Sequence, residues 1–210
     1  MTAPFDDAPA PERGIPIVIS APSGTGKSTI ADRIVEAQPN AVHSISCTTR
    51  PPRSGERDGE HYFFTTIDEF KRKIETGEFL EWAIVHGHYY GTPLKALESQ
   101  LDLGRDVILT IDPQGALSVK RIYPAGVFIF VVPPSWDVLM KRLYKRATDD
   151  QKSVDIRVAN ARKEIAYLGH YEYLVVNDDL ETAVRHVSAI MMAEHMKTSR
   201  AQHRSLPILS

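Results

Sequence analysis

One cysteine, Cys47, stands in 210 residues, so no disulfide can form within the chain, and a reducing compartment suits it. No apolar run comes near the ~20 residues that a membrane-spanning helix needs. The first residues lack the basic start and apolar core of a secretory leader. Charge of one sign is scarce too. Lys and Arg number 25 against 27 Asp and Glu, a formal net charge of −2, which excludes a general affinity for nucleic acid or membranes. We therefore expect a cytoplasmic protein with neither kind of partner. No internal repeat is present. Residues 1–13, with Pro4, Pro9 and Pro11, read as a disordered tail, and residues 198–210 as a polar C-terminal tail.

What remains has globular composition and length enough for a real core. Near-continuous apolar runs predict strands over 15–20, 106–111, 127–132 and 173–176, as in a parallel sheet covered on both faces. Helical patterns alternate with them over 27–36, 93–103, 115–121, 135–146, 154–168 and 180–196. Thr92 before Pro93 suits an N-cap and first helical residue. Asp178 with Glu181, and Thr66 with Glu69, are spaced as capping boxes. Residues 44–92 break the alternation: 61–65 and 79–83 read as short strands around a helix over 66–75. The expected fold is α/β, a parallel-sheet core with helices on both faces. A small α+β lobe is inserted at 44–92, and a basic helical lid covers 141–157. The core is then 14–43, 93–140 and 158–197, within one domain over 14–197.

The first predicted strand runs into Ala21, Pro22, Ser23, Gly24, Thr25, Gly26, Lys27, Ser28 and Thr29, and a helix follows. This is the strand–loop–helix context of a phosphate-binding loop. Backbone N–H groups converge there on an anion, helped by the helix N-terminus. Gly24 and Gly26 permit the tight turn. Lys27 reaches β/γ-phosphates and the Ser28 hydroxyl takes Mg²⁺. Ala21 replaces the first glycine of the usual pattern, and an ordinary strand–helix connection is the plain alternative.

Arg50 and Arg53 stand three apart around two prolines. Arginine forks fit phosphate oxygens, although a solvated basic loop has the same spacing. Tyr62, Tyr89 and Tyr90 carry hydroxyls suited to the same phosphate; strand aromatics are also ordinary core residues. Glu81 interrupts an apolar strand, where a carboxylate is costly unless paired or solvated. Guanine offers N1–H and N2–H₂ as adjacent donors to one carboxylate and adenine offers no such pair; simple exposure is the alternative. Arg142 and Arg146 are four apart on one helix and share a face, either as phosphate ligands or as a solvated basic stripe.

Taken together the motifs resemble those of the guanylate kinase family. They are Ser-Ala-Pro-Ser-Gly-Thr-Gly-Lys-Ser-Thr at 20–29, Thr-Thr-Arg-Pro-Pro-Arg-Ser-Gly-Glu at 48–56, Gly-Glu-His-Tyr-Phe-Phe at 59–64 and Phe-Leu-Glu-Trp-Ala at 79–83. His-Tyr-Tyr-Gly-Thr at 88–92, Ile-Asp-Pro-Gln-Gly-Ala at 111–116, Pro-Pro-Ser at 133–135 and Val-Asn-Asp-Asp-Leu at 176–180 complete the series. The resemblance implies transfer of a γ-phosphoryl group from ATP to GMP, and to dGMP with it, with Mg²⁺. It implies ATP on residues 21–29, with Asn177 and Asp178 beside its adenine. The GMP phosphate would meet Arg50, Arg53, Tyr62 and Tyr90, and guanine would meet Ser46, Glu81 and Thr92. Lys27, Arg53, Arg142, Arg146 and Arg157 would act on the transferring group. Asp112 follows a strand, at the edge that faces a ligand crevice in open α/β sheets, and is expected to border the substrate. Two residues depart from the family pattern: Thr110 stands where an acid is usual, and Ala147 where glycine is usual. A binding module of the same fold, which recognises phosphorylated peptides, is the alternative; such modules lose phosphate-loop or lid residues, whereas Lys27, Ser28, Arg146 and Arg157 are present.

Overall fold

The computed structural model describes residues 13–85, 87–146 and 151–201. Chain order is β1 (Pro16–Ser20), α1 (Lys27–Ala37), β2 (Ala41–His43), β3 (Cys47–Thr48), β4 (Phe63–Phe64), α2 (Ile67–Glu75), β5 (Phe79–Val85) and β6 (His88–Pro93). It continues with α3 (Leu94–Asp102), β7 (Asp106–Thr110), α4 (Pro113–Ile122), β8 (Val127–Val132), α5 (Trp136–Arg146) and α6 (Gln151–Ile165). A 3-10 turn at Leu168–His170, β9 (Tyr173–Val176), α7 (Leu180–His195) and α8 (Thr198–Ala201) complete it.

Five strands pair in the order β2-β7-β1-β8-β9, all parallel. β1 lies at the centre and every residue in it is buried, which explains its unbroken apolar sequence. Successive side chains point to opposite faces of the sheet. Ile17 and Ile19 therefore pack with Ile30 and Ile34 of α1 and Val187 and Met191 of α7. Val18 joins Leu97 and Leu101 of α3, Val119 of α4 and Phe128 of β8 on the other face. Each such side chain, fully buried, stabilises the fold by about 1.5–3 kcal/mol. The second sheet, in the order β4-β3-β6-β5, is mixed: β3–β4 is parallel, and β3–β6 and β5–β6 are antiparallel.

Several element ends differ from the sequence expectation. Thr92 and Pro93 do not open a helix. Both end β6, Thr92 opposite Glu81 and Pro93 opposite Phe79, and α3 starts one residue later, at Leu94. Sheet pairing here overrides a local helix-start signal. Asp179, not Asp178, caps α7 by accepting the Thr182 N–H at 2.8 Å. Thr66 caps α2 as expected, accepting from Glu69 N–H, but the Glu69 carboxylate turns to Arg72. α4 begins two residues before expectation because Asp112 caps it, accepting the Gly115 N–H at 2.7 Å. The short strands β2, β3 and β6 carried no recognisable pattern of their own.

Candidate active site

The loops that leave the carboxyl ends of β1, β7 and β9 hold the chemistry-bearing residues, the usual location for a ligand in an open parallel sheet. After β1 the chain turns at once. The Thr25 hydroxyl donates to the Pro22 carbonyl at 2.7 Å, and the Thr25 N–H donates to the same oxygen at 3.2 Å. Ala21 is buried in the core cluster. Gly26 precedes α1 with φ 92°, and a Cβ there would stand 2.7 Å from Asn177 Nδ2. That nitrogen donates to the Thr25 carbonyl at 2.6 Å. Asn177 thus pins the loop from the end of β9, and only glycine fits beneath the pin.

Lys27 donates to the Ile111 carbonyl at 3.0 Å. Burial pushes its pKa down, and Asp112, Glu164 and Glu81 pull it back up. Residues 21–29 line a cavity of about 290 Å³ with Asp112 and Glu164. A second cavity, of about 680 Å³, opens beside it between the two sheets and is lined by Ser46, Tyr62, Glu81, Tyr90, Thr110 and others. Lys27 and Asp112 border both cavities. They stand where groups held in the two spaces would meet.

In the second cavity Glu81 is fixed by a 2.6 Å hydrogen bond from the buried Thr92 hydroxyl. Its other oxygen lies against the first turn of α4, since a Cβ on Gly115 would come within 3.1 Å of Oε2. Burial pushes the Glu81 carboxyl pKa up, Thr92 lowers it and the nearby Asp112 adds to the rise. Arg50 Nη2 contacts both oxygens of Glu56, at 2.8 and 2.9 Å. Its guanidinium lies 5.5 Å from the Tyr62 ring centre and 5.9 Å from that of Phe64, within cation–π range. Glu56 also accepts the Arg53 N–H at 2.7 Å, so one carboxylate ties both ends of the Arg-Pro-Pro-Arg segment.

The sequence model of the guanylate kinase family matches residues 13–194. The chain belongs to the guanylate kinase family. It is 48% identical over 194 residues to the guanylate kinase of Carboxydothermus hydrogenoformans, 92% of this chain and 95% of that one. It is 47% identical over 192 residues to that of Thermotoga maritima, 91% and 93% of the two chains. The crystal structure of guanylate kinase from Anaplasma phagocytophilum is similar with a TM-score of 0.72 at 38% identity, over 90% of each chain.

For a guanylate kinase family member the remaining residues are placed unevenly. Ser28 and Thr29 are exposed on the first turn of α1. Arg53 is exposed, and neither it nor Arg50 lines the second cavity. Arg142 donates from Nη2 to the Asn177 carbonyl at 3.1 Å, which ties α5 to the end of β9. Arg157 is half-buried on α6. Arg146 lies on the last turn of α5, but its side chain, like Ala147, lies outside the described residues. Asn177 is buried with its amide committed to the loop, while Asp178 is exposed on the bend beside it.

Three residues of the site carried no expectation. Glu56 sits inside a recognised motif, three residues after Arg53 and six after Arg50, which is a usable signal. Gly115 follows Pro-Gln in a helix start and reveals its reason only through the nearby Glu81 carboxylate. Glu164 is one more acid on a polar helix; no sequence signal separates it from its neighbours.

Proposed function

We propose that the protein transfers the γ-phosphoryl group of ATP to GMP, giving ADP and GDP, and that dGMP serves as well. The observation that carries this reading is the pair of adjoining cavities with Lys27 and Asp112 on their common border. The donor lies on residues 21–29. The acceptor's phosphate meets Arg50, Arg53, Tyr62 and Tyr90, and its base meets Ser46, Glu81 and Thr92. Two adjacent N–H donors on guanine suit the two oxygens of one carboxylate. Glu81 is held in place for that contact by Thr92 and by the start of α4.

The donor set also fits Mg²⁺. Among the described residues no group of three or more His, Cys, Asp or Glu side chains is arranged to hold a metal. Mg²⁺ is commonly held by few protein ligands and by substrate phosphates and waters. The exposed Ser28 hydroxyl beside the loop, with Asp112 near, suits that arrangement. Bound there, Mg²⁺ supplies charge neutralisation across the phosphates. The acceptor monophosphate has a second pKa near ~6 and is already a nucleophile at neutral pH. The protein's task is then to position two anions and stabilise the charge between them. Lys27 does so from the border of the cavities, and Arg142, Arg146 and Arg157 come from α5 and α6. The three-part division into a core, an acceptor lobe at 44–92 and a lid at 141–157 follows from these roles, and a cytoplasmic location suits them.

A coupled assay of ADP formation tests the reading with GMP, dGMP, AMP, CMP and UMP side by side. GMP and dGMP should turn over far faster than the rest. Equal turnover with AMP would overturn the assignment of Glu81 and of the substrate.

A further inference from the structure

The donor cavity contains a carboxylate that the transfer reaction does not use. Glu164, on α6, lines it together with residues 21–29 and Asp112. One of its oxygens, Oε2, is sealed from solvent and has no hydrogen-bond partner. The Ser23 backbone N–H favours the charged form of the same carboxylate. The sealed hydroxyls of Ser20 and Tyr171 are likewise without a hydrogen-bond partner, and the Glu164 charge is felt at the Tyr171 phenol. Three of the four sealed, unpartnered side-chain atoms among the described residues are thus those of Glu164, Ser20 and Tyr171. Buried polar atoms are nearly always paired, and exceptions call for a specific reason.

A phosphate loop collects backbone N–H groups for an anion. Here a side-chain anion already lines the same space. The same N–H cannot serve a carboxylate and a phosphate at full strength. Like charges at contact distance also repel strongly in a partly desolvated site. Burial pushes the Glu164 carboxyl pKa up, with Ser23 and Lys27 pulling it down, as expected for a group held in place by the loop at a cost.

Resting on the donor-site reading above, we propose that Glu164 sets the affinity for the donor nucleotide: its carboxylate competes for the phosphate loop and has to withdraw before the triphosphate is seated. Glu164 and Arg157 are seven residues apart on α6, two turns and therefore one face. A withdrawal that shifts α6 itself, rather than the Glu164 side chain alone, would carry Arg157 with it.

The test is calorimetric titration of MgATP, in the absence of any acceptor, into wild type, Glu164→Gln and Glu164→Ala. Both variants should bind MgATP about tenfold more tightly, with the Kd for GMP unchanged. Backbone amides of residues 21–29 should exchange faster in the nucleotide-free variants than in nucleotide-free wild type, because a partner of the loop is gone. An unchanged Kd for MgATP in Glu164→Gln, with wild type binding normally, overturns the inference alone. Weaker binding in both variants overturns it too and assigns Glu164 to the metal or its waters. Failure of wild type to bind MgATP at all overturns the donor-site reading and this inference with it.

Discussion

The two cavities are built in different ways. The donor side is made of backbone. Its loop leaves a fully buried central strand, is turned by Thr25 onto Pro22, and is pinned by Asn177 through a carbonyl. The acceptor side is made of side chains. Glu81 depends on the hydroxyl of Thr92, and Arg50 depends on Glu56 and on ring faces. The two designs suit their ligands. A polyphosphate is recognised by many equivalent N–H groups, which any sequence supplies once the turn is right. A particular base needs a particular acceptor pattern, which only chosen side chains supply. Substitutions should therefore damage turnover most on the border, selectivity most on the acceptor side, and neither at positions that only line the space.

The largest expected effect is on the border itself. Lys27→Met removes the one cation that, among the described residues, is common to both cavities. We expect kcat to fall at least about a thousandfold, as when a main transition-state donor is lost. The Kd for GMP should stay near wild type because Arg50 and Glu81 are untouched. Near-normal turnover in Lys27→Met would remove the donor assignment.

Glu81→Gln addresses the acceptor side. It replaces a double acceptor by an acceptor and a donor, so one guanine N–H meets an N–H. The ratio of kcat/KM for GMP over AMP should narrow by about a hundredfold, given how strongly unpaired polar groups penalise the wrong partner. There is also a pH signature. Burial raises the Glu81 pKa above the ordinary value, and only the ionised form accepts both donors. Affinity for guanosine, which lacks the titrating phosphate, should hold at neutral pH. It should weaken as pH falls, beginning at a higher pH than an ordinary glutamate would dictate. A guanosine profile identical in wild type and Glu81→Gln would refute this.

Asp112 makes a cleaner comparison than most acids, because it caps α4 through Gly115 and asparagine caps helices about equally well. Asp112→Asn should melt near the wild-type temperature while turnover drops roughly 10–100-fold, the range seen when groups supporting a metal are altered. A drop in Tm with full activity at low temperature would make the residue a helix cap and nothing more. Glu56→Gln should be milder. It loosens Arg50 and the Arg53 backbone together, and we expect KM for GMP to rise about tenfold with kcat largely kept. An unchanged KM would show that the Arg50 fork positions itself without Glu56.

The same contrast explains what could be read in advance. The donor loop was legible because its pattern is contiguous: strand, glycines, Lys27 and helix lie within fifteen residues. The inner strands of the parallel core were legible because strands buried on both faces are nearly continuous apolar runs, whereas the short edge strand β2 was not. The roles of Glu56, Gly115 and Glu164 were not legible. Each depends on a neighbour brought close only by folding: Arg50 across the Pro-Pro turn, Glu81 from another sheet, and the phosphate loop from the other end of the chain. Thr92 failed in an instructive way. Locally it reads as a cap before Pro93, but pairing of β6 with β5 and the bond to Glu81 decide its place. Asn177 was expected beside a base, and the hold of its buried amide on the loop is a further contact that no local pattern announces.

The smallest effect is expected at Thr110, the clearest departure from the family pattern. It ends β7 opposite Ile19 of β1, is exposed, and lines the acceptor cavity two residues before Asp112. Among the described residues no hydrogen bond reaches its hydroxyl. Valine has nearly the same shape and keeps the strand propensity, so Thr110→Val should change kcat/KM by no more than about twofold, as for surface positions without a partner. Thr110→Asp places a second carboxylate beside Asp112 and should raise the apparent affinity for Mg²⁺ without loss of turnover at saturating metal. Initial-rate titrations with Mg²⁺ on wild type, Thr110→Val, Thr110→Asp and Asp112→Asn decide the matter in one series. If Asp112→Asn follows wild type while Thr110→Val is inactive, the essential group at the end of β7 is the hydroxyl of Thr110, and the acid two residues on serves α4 alone.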